Sequence, residues 1–263
     1  MINRLQTWLD WLQSSPVEFV IYLVLLAVAV LASLTLHELA HGYVAYRCGD
    51  PTAKMLGRLT LNPLKHLDPF GAACLVLLGF GWAKPVPVNP RNFQNYRRDD
   101  FMVSIAGIAV NLTLFILSTA LLVGLNSFIW TEEALLYVGL NNLVSVQPVV
   151  NKLASSGAAQ LLEVLLKNPA MGYVQQFLAM FASINLGLGI FNLLPLPPLD
   201  GFHVVNDILL RGRLRLNPRV FRIAHLIVLV LCFSGALNGV LNAIINTIDS
   251  SVVNLFLKMI GRG

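Results

Sequence analysis

The feature that most limits how this chain can fold is one long apolar stretch that contains three ionisable side chains. From Phe19 to Tyr46 the only Asp, Glu, Lys, Arg or His residues are His37, Glu38 and His41. A helix of this length rises about 40 Å, enough to cross a bilayer. Because ionisable residues inside a membrane span are rare and costly, these three indicate a functional site.

The composition favours a membrane protein over a soluble one. The chain has 263 residues, of which 56% are hydrophobic and 12% charged, whereas a soluble domain carries about 25% charged residues. The formal net charge is +5, but the basic residues lie between apolar runs, where they act as topology signals beside lipid. We find no nucleic-acid-binding motif, so the expected surroundings are a lipid bilayer and not DNA or RNA.

The apolar runs predict an all-α polytopic membrane protein with about four core transmembrane helices. We expect one domain over 1–263, with an N-terminal interfacial helix at 1–18 that is anchored by Trp8 and Trp11. The core that contains this functional site would extend over about 19–210, followed by a C-terminal transmembrane segment at about 223–248. The four predicted spans are 19–46, 101–125, 172–194 and 223–248.

Two regions between the spans depart from this helical pattern. Residues 70–82 are apolar but short for a span, which suits a re-entrant element. Met55–Leu61 is predicted as a short strand, and Gly81–Pro90 as an extended segment because its prolines disfavour helix. Together the two extended pieces would form a small β-hairpin or sheet near the cytoplasmic side.

The distribution of Lys and Arg predicts the topology. Basic residues are concentrated in the segments 47–66, 84–98 and 211–222, and the positive-inside rule places such segments in the cytoplasm. The N-terminus and the segment 126–170 would then lie outside.

The sequence His37-Glu38-Leu39-Ala40-His41 is an HExxH motif. Histidines four residues apart share one helix face, so both imidazoles can bind one metal ion, typically zinc. The glutamate at the next position lies about 100° around the helix, where it can activate a water without binding the metal. The alternatives are a polar helix seam or a proton relay.

A catalytic zinc site needs a third protein ligand and one open position. The third span ends in Asn192-Leu-Leu-Pro-Leu-Pro-Pro-Leu-Asp200-Gly201, where the prolines break the helix. Alone, Asp200 would be interpreted as a helix-terminal carboxylate. His37 lies about 27 Å along the first span, near the cytoplasmic end at which Asp200 is also expected, so we predict Asp200 as the third ligand.

The chain resembles the site-2 protease family of intramembrane zinc metalloproteases (peptidase family M50), in its compact bacterial form without a PDZ domain. The resemblance covers most of residues 30–210 and depends on four motifs: HELAHGYVAYRCGDPTAKMLGRLTLNP at 37–63, HLDPFG at 66–71, GWAKPVPVNP at 81–90 and FNLLPLPPLDG at 191–201. One departure is Ile108, which replaces the proline usual in the family's Ala-Gly-Pro-x-x-Asn motif.

The resemblance implies one zinc ion per chain on His37, His41 and Asp200, with Glu38 as the catalytic base. It implies Asn192 as a polar group beside the active site, here able to hold the scissile carbonyl or its oxyanion. The implied activity is regulated intramembrane proteolysis of transmembrane protein substrates, in the bacterial inner membrane. The basic segments and the depth of His37, and not the resemblance, predict an active site near the cytoplasmic face. Neither the resemblance nor the pattern indicates an oligomeric state.

Two other functions fit parts of the sequence. A catalytically inactive membrane scaffold would keep the fold, but it would be expected to lack Glu38 or a metal ligand, and all of these residues are present. A metal or ion transporter would place the cluster on a permeation path, but it would be expected to have paired halves with matching broken helices, which the sequence lacks.

Overall fold

A computed structural model describes residues 2–71, 74, 83–138, 143, 160–214 and 216–260. The predicted re-entrant element at 70–82 lies mostly outside these residues, and so does much of the segment 126–170. The re-entrant element therefore stays a prediction.

The described residues are mainly helical. The helices are α1 (Ile2–Ser14), α2 (Pro16–Arg47), α3 (Thr52–Met55), α4 (Tyr96–Ile129), α5 (Glu132–Val138), α6 (Gln160–Leu165), α7 (Pro169–Asn192), α8 (Asp200–Leu209), α9 (Pro218–Ser234) and α10 (Asn238–Met259). Four of them are long and apolar enough to cross a membrane, namely α2, α4, α7 from Ala170 onward, and α10. The predicted helical class with about four spans is confirmed.

The fourth span differs from its predicted bounds of 223–248. The helix breaks at Gly235, which has a left-handed φ of +72° and ends α9 through a hydrogen bond from its N–H to the Cys232 carbonyl. Glycine adopts this conformation without the steric cost of a Cβ. The helix that is long and apolar enough to cross is α10.

The predicted strand at Met55–Leu61 is wrong. The chain forms α3 up to Met55, and then a turn in which Gly57 has a φ of +63°. Antiparallel pairing near this region is limited to one isolated bridge between Leu67 and Ala83 among the described residues. The segment 84–89 forms no helix, and Asn89 at its end has extended backbone angles. The described part of the chain contains no sheet, so the predicted β-hairpin is not confirmed.

The chain divides into two compact units. The first comprises Met1–Val30, Thr113–Asn185 and Ile245–Gly263. Its apolar core includes Leu122, Ala179 and Leu257, which come from α4, α7 and α10. At its N-terminal end, Trp8 and Trp11 of α1 pack edge-on against Phe19 of α2. The helix expected from residues 1–18 is thus present as α1, while its position at a membrane surface stays a prediction.

The second unit comprises Leu31–Leu112 and Leu186–Ile244. It contains the second half of α2 with the HExxH motif, the first half of α4, the end of α7, and α8. Every residue predicted for the catalytic site therefore lies within this unit.

Candidate metal centre and active site

The two histidines of α2 present their imidazoles to a common point. The Nε2 atoms of His37 and His41 lie 3.0 Å apart, and the two rings meet edge to face. Both residues are buried. The four-residue spacing on one helix face thus produces the paired arrangement that the sequence predicts.

Asp200 completes this cluster from a different helix. Its Oδ2 atom lies 3.4 Å from His37 Nε2 and 3.3 Å from His41 Nε2. Asp200 is the first residue of α8, directly after the turn that carries the prolines. The backbone is tightly packed here, because a Cβ on Gly201 would lie 2.3 Å from the Leu193 carbonyl oxygen. Glycine at 201 is therefore needed to bring Asp200 to the histidines.

The three ligand atoms lie nearly as far apart as those around a tetrahedral zinc ion. At metal–ligand distances of about 2.0–2.2 Å, ligand atoms of a tetrahedral ion lie about 3.3–3.6 Å apart. The observed separations of 3.0, 3.3 and 3.4 Å are close to this range. Two imidazoles and one carboxylate are also a donor set that zinc accepts in catalytic sites, so the residues present fit the predicted ion.

The carboxyl group of Asp200 is held in its ionised form. Burial alone would raise the pKa of Asp200, but hydrogen bonding and attraction from His37 and His41 outweigh burial and lower the pKa below its ordinary value. A carboxylate must be deprotonated to bind a metal. About a fifth of the Asp200 side chain is accessible, more than for either histidine, but the Oδ2 atom that faces them is buried.

Helix α4 packs its backbone directly against the imidazole pair. A Cβ built on Gly107 would lie 2.5 Å from His41 Nε2 and 2.6 Å from His37 Cε1. These distances are shorter than any ordinary van der Waals contact, so position 107 has no room for a side chain. The metal-binding space is bounded here by bare backbone.

Gly107→Ala should therefore disrupt metal binding without a change in any ligand. We expect the added methyl group to push the imidazoles apart and to lower the zinc content of the purified protein, measured by elemental analysis. The matched control is Gly124→Ala in the same helix, where a Cβ would meet no atom within 4 Å. Equal zinc content in the two variants would contradict the packing described here.

Glu38 is fixed by a backbone donor from the extended segment. The Val86 N–H donates to Glu38 Oε2 over 2.7 Å, and the glutamate is 9% exposed. One carboxylate oxygen is thus used as an anchor. The other oxygen is left to exchange protons in the site.

The extended segment is in turn held by Asp50, which is fully buried. The Asn89 N–H and the Asn92 side-chain amide each donate to the Asp50 carboxylate over 2.7 Å, and Thr52 donates to it as well. Although burial acts to raise the pKa of Asp50, these hydrogen bonds lower it below the ordinary value. The loop after α2 therefore positions the segment that fixes Glu38.

Asn192 makes its hydrogen bond elsewhere. Its side-chain amide donates over 3.0 Å to the Leu188 carbonyl, one turn earlier in its own helix. Among the described residues, we find no hydrogen bond from Asn192 to His37, His41 or Asp200. This bond uses one of the two N–H groups of the amide, so the role of Asn192 in catalysis stays a prediction.

Two of the three histidines outside the cluster make side-chain contacts of their own. His66 is buried, and its Nε2 donates to the Thr60 carbonyl over 2.9 Å, which identifies it as a loop-stabilising residue. His203 Nδ1 lies 3.2 Å from Asp100 Oδ2, and this contact raises the pKa of His203.

Four residues that shape the site were not predicted as site residues. Val86 binds Glu38 and Val103 binds His41, each through a backbone group. Gly107 matters because it has no side chain between α4 and the imidazoles. Asp50 holds the segment that carries Val86. Gly107 belongs to the Ala-Gly-x-x-x-Asn motif, and Asp50 to the Gly-Asp-Pro sequence that ends α2. These two motifs are the sequence features from which the roles of Gly107 and Asp50 could have been predicted.

Comparison with known proteins gives a consistent result. The model of the family described as "Peptidase family M50" matches residues 25–235. A Bacillus subtilis protein named "Putative zinc metalloprotease YwhC" is 40% identical over 197 residues, covering 75% of this chain and 73% of that protein.

More distant relatives have the same kind of name. The proteins named "Putative zinc metalloprotease Rip2" from Mycolicibacterium smegmatis and Mycobacterium tuberculosis are each 27% identical to this chain. The alignments cover 85% and 88% of this chain, and 72% and 76% of those proteins. No solved structure matches the chain significantly.

The family match extends over more than half of the chain and includes all three residues of the candidate metal cluster. The chain therefore belongs to peptidase family M50, the site-2 protease family, and is a metallopeptidase.

Proposed function

We propose that this chain is a zinc-dependent endopeptidase that hydrolyses peptide bonds within or near the transmembrane segments of other membrane proteins. The observation that carries the proposal is the cluster of His37, His41 and Asp200 beside Glu38, with the HExxH motif inside a helix long and apolar enough to span a membrane. The names of the relatives support zinc as the metal.

The residues of the site have different roles in the proposed reaction. His37, His41 and Asp200 would hold the zinc ion, which when bound polarises the scissile carbonyl and activates water. Glu38 takes a proton from the attacking water as the new C–O bond forms. It then gives that proton to the amide nitrogen as the C–N bond breaks. The Val86 N–H keeps the carboxylate in place through both steps.

The complete set of residues favours a protease over the two alternatives. A scaffold has no need for a carboxylate held by a backbone N–H beside a metal cluster. A transporter would need a path through the cluster, yet the Gly107 backbone lies directly against the imidazoles.

The extended segment 84–90 is a candidate for contact with an unwound substrate by strand addition. Its prolines carry no N–H, and the N–H groups of Lys84, Val86 and Asn89 donate within the chain. Of the N–H groups in this segment, only that of Val88 has no acceptor among the residues that the structure describes. A substrate strand would therefore bind mainly by donating its own N–H groups to carbonyls of the segment.

We propose that the active site lies near the cytoplasmic face of the membrane because of the three basic segments. The relatives come from Bacillus, Mycolicibacterium and Mycobacterium, which supports a bacterial inner membrane. Single cysteines at Met55, Asn95, Asn217 and Leu136 in a cysteine-free background would test this, since all four positions are exposed. An impermeant thiol reagent added to intact cells should label only position 136. Labelling at 55, 95 or 217 would contradict the placement.

The experiment that tests the function compares the membrane proteomes of cells that express the wild type or Glu38→Gln. Wild-type cells should accumulate cleaved fragments of single-span membrane proteins, and cells with the variant should retain the uncleaved forms. Identical proteomes under conditions in which both proteins are expressed and inserted would count against proteolysis.

A further inference from the structure

One face of α4 carries three residues that contact the histidine pair. Val103, Gly107 and Asn111 are spaced by four residues, the same spacing as His37 and His41 on α2. Val103 contacts His41, Asn111 contacts His37, and Gly107 lies between them. The two helices thus meet in matched register, with α4 supplying a partner for the outer nitrogen of each imidazole.

The hydrogen bond to the Val103 carbonyl fixes the tautomer of the His41 ring. His41 Nδ1 lies 2.7 Å from the Val103 carbonyl oxygen, and a carbonyl can only accept a hydrogen bond. His41 Nδ1 therefore carries the proton, and its Nε2 presents a lone pair toward the cluster. This is the tautomer that binds a metal through Nε2.

The contact at His37 leaves two orientations open. The Asn111 amide is fully buried, with its nitrogen 3.2 Å from His37 Nδ1. If that nitrogen donates, His37 must carry its proton on Nε2 and cannot bind metal there. If the amide is rotated by 180°, its oxygen accepts from Nδ1–H and His37 Nε2 is free to bind. Since the oxygen and nitrogen of an amide are assigned from their partners, the function of the ring decides between the two.

We infer that Asn111 is a positioning residue for the metal site, its amide oxygen accepting a hydrogen bond from His37 Nδ1–H. The inference rests on the proposed zinc site, in which both histidines bind through Nε2. Asn111 then does for His37 what the Val103 carbonyl does for His41. Such outer partners fix the ring orientation and raise the basicity of the ligand, and losing one costs about 10–100-fold in metal affinity.

Three substitutions test this by the zinc dissociation constant, measured by chelator competition on purified, metal-stripped protein. Asn111→Leu keeps the size but removes the acceptor, so its zinc affinity should fall by about 10–100-fold. Asn111→Asp keeps the acceptor and should bind zinc about as tightly as the wild type. The control is Asn126→Leu in the same helix, because Asn126 is buried and has no hydrogen-bond partner among the described residues.

Each outcome decides the inference. Unchanged affinity in Asn111→Leu would overturn it, and so would an Asn111→Asp variant as weak as Asn111→Leu, because an aspartate cannot donate. If Asn111→Leu fails to fold by circular dichroism, Asn111→Asp decides alone: near wild-type binding supports an acceptor, and weak binding overturns it. A wild type that binds no zinc would instead overturn the proposed function itself.

Discussion

Glu38→Gln should abolish proteolysis while leaving the metal site intact. The amide oxygen of glutamine can still accept from the Val86 N–H, so the anchor that holds position 38 is preserved. An amide cannot take a proton from water at neutral pH. Since a positioned general base contributes about 10²–10⁴-fold to the rate, we expect a loss of that order in kcat.

The measurement pairs a cleavage assay on a purified transmembrane substrate with zinc analysis of the same preparation. Glu38→Gln should contain as much zinc as the wild type and show the same helical content. If it instead loses zinc, Glu38 is part of the metal site and not a separate base. Cleavage close to the wild-type rate would mean that another group moves the proton.

The main parts of the site could be predicted because they depend on strong local patterns. His37 and His41 follow from helix periodicity, which puts residues four apart on one face whatever surrounds them. Asp200 could be predicted because a charged residue directly after an apolar span is unusual. The HExxH motif lies at the same predicted depth in α2, so the two were expected to lie close together. The structure brings these three residues together.

The residues that hold Glu38 and His41 in position could not be predicted because they act mostly through their backbone groups. Every residue has an N–H or a carbonyl, so nothing in the side chains of Val86 or Val103 identifies them as partners of Glu38 and His41. The departure from the family motif at Ile108 does not involve a residue that contacts the histidines. Gly107 and Asn111 of that motif face the histidines, whereas Ile108 is buried without a role in the cluster.

The errors in the fold have similarly local causes. Apolar character continues across Gly235, so hydropathy alone could not detect the break between α9 and α10. Met55–Leu61 was predicted as a strand, but Asp50 accepts the Thr52 N–H at the start of α3, and the chain turns after Met55 at Gly57, whose φ is +63°. In both places a glycine with a left-handed φ interrupts the expected element.

Replacing His37, His41 or Asp200 by alanine should remove the zinc ion. Each residue supplies one corner of a triangle with sides of 3.0, 3.3 and 3.4 Å, so losing one leaves two ligands that cannot enclose the metal. We expect each loss of affinity to exceed the roughly 10–100-fold expected for an outer partner such as Asn111. Cleavage should be lost in all three variants.

The test is the zinc content per chain after purification and dialysis, with one zinc expected in the wild type. His225→Ala is a matched control, because His225 is exposed on α9 and takes no part in the cluster. Asp200→Asn is informative in addition: it keeps a neutral oxygen donor but loses the charge, so its affinity should lie between those of the wild type and Asp200→Ala. Full zinc content in the three alanine variants would show that the metal binds elsewhere, and the assignment of this cluster would then be wrong.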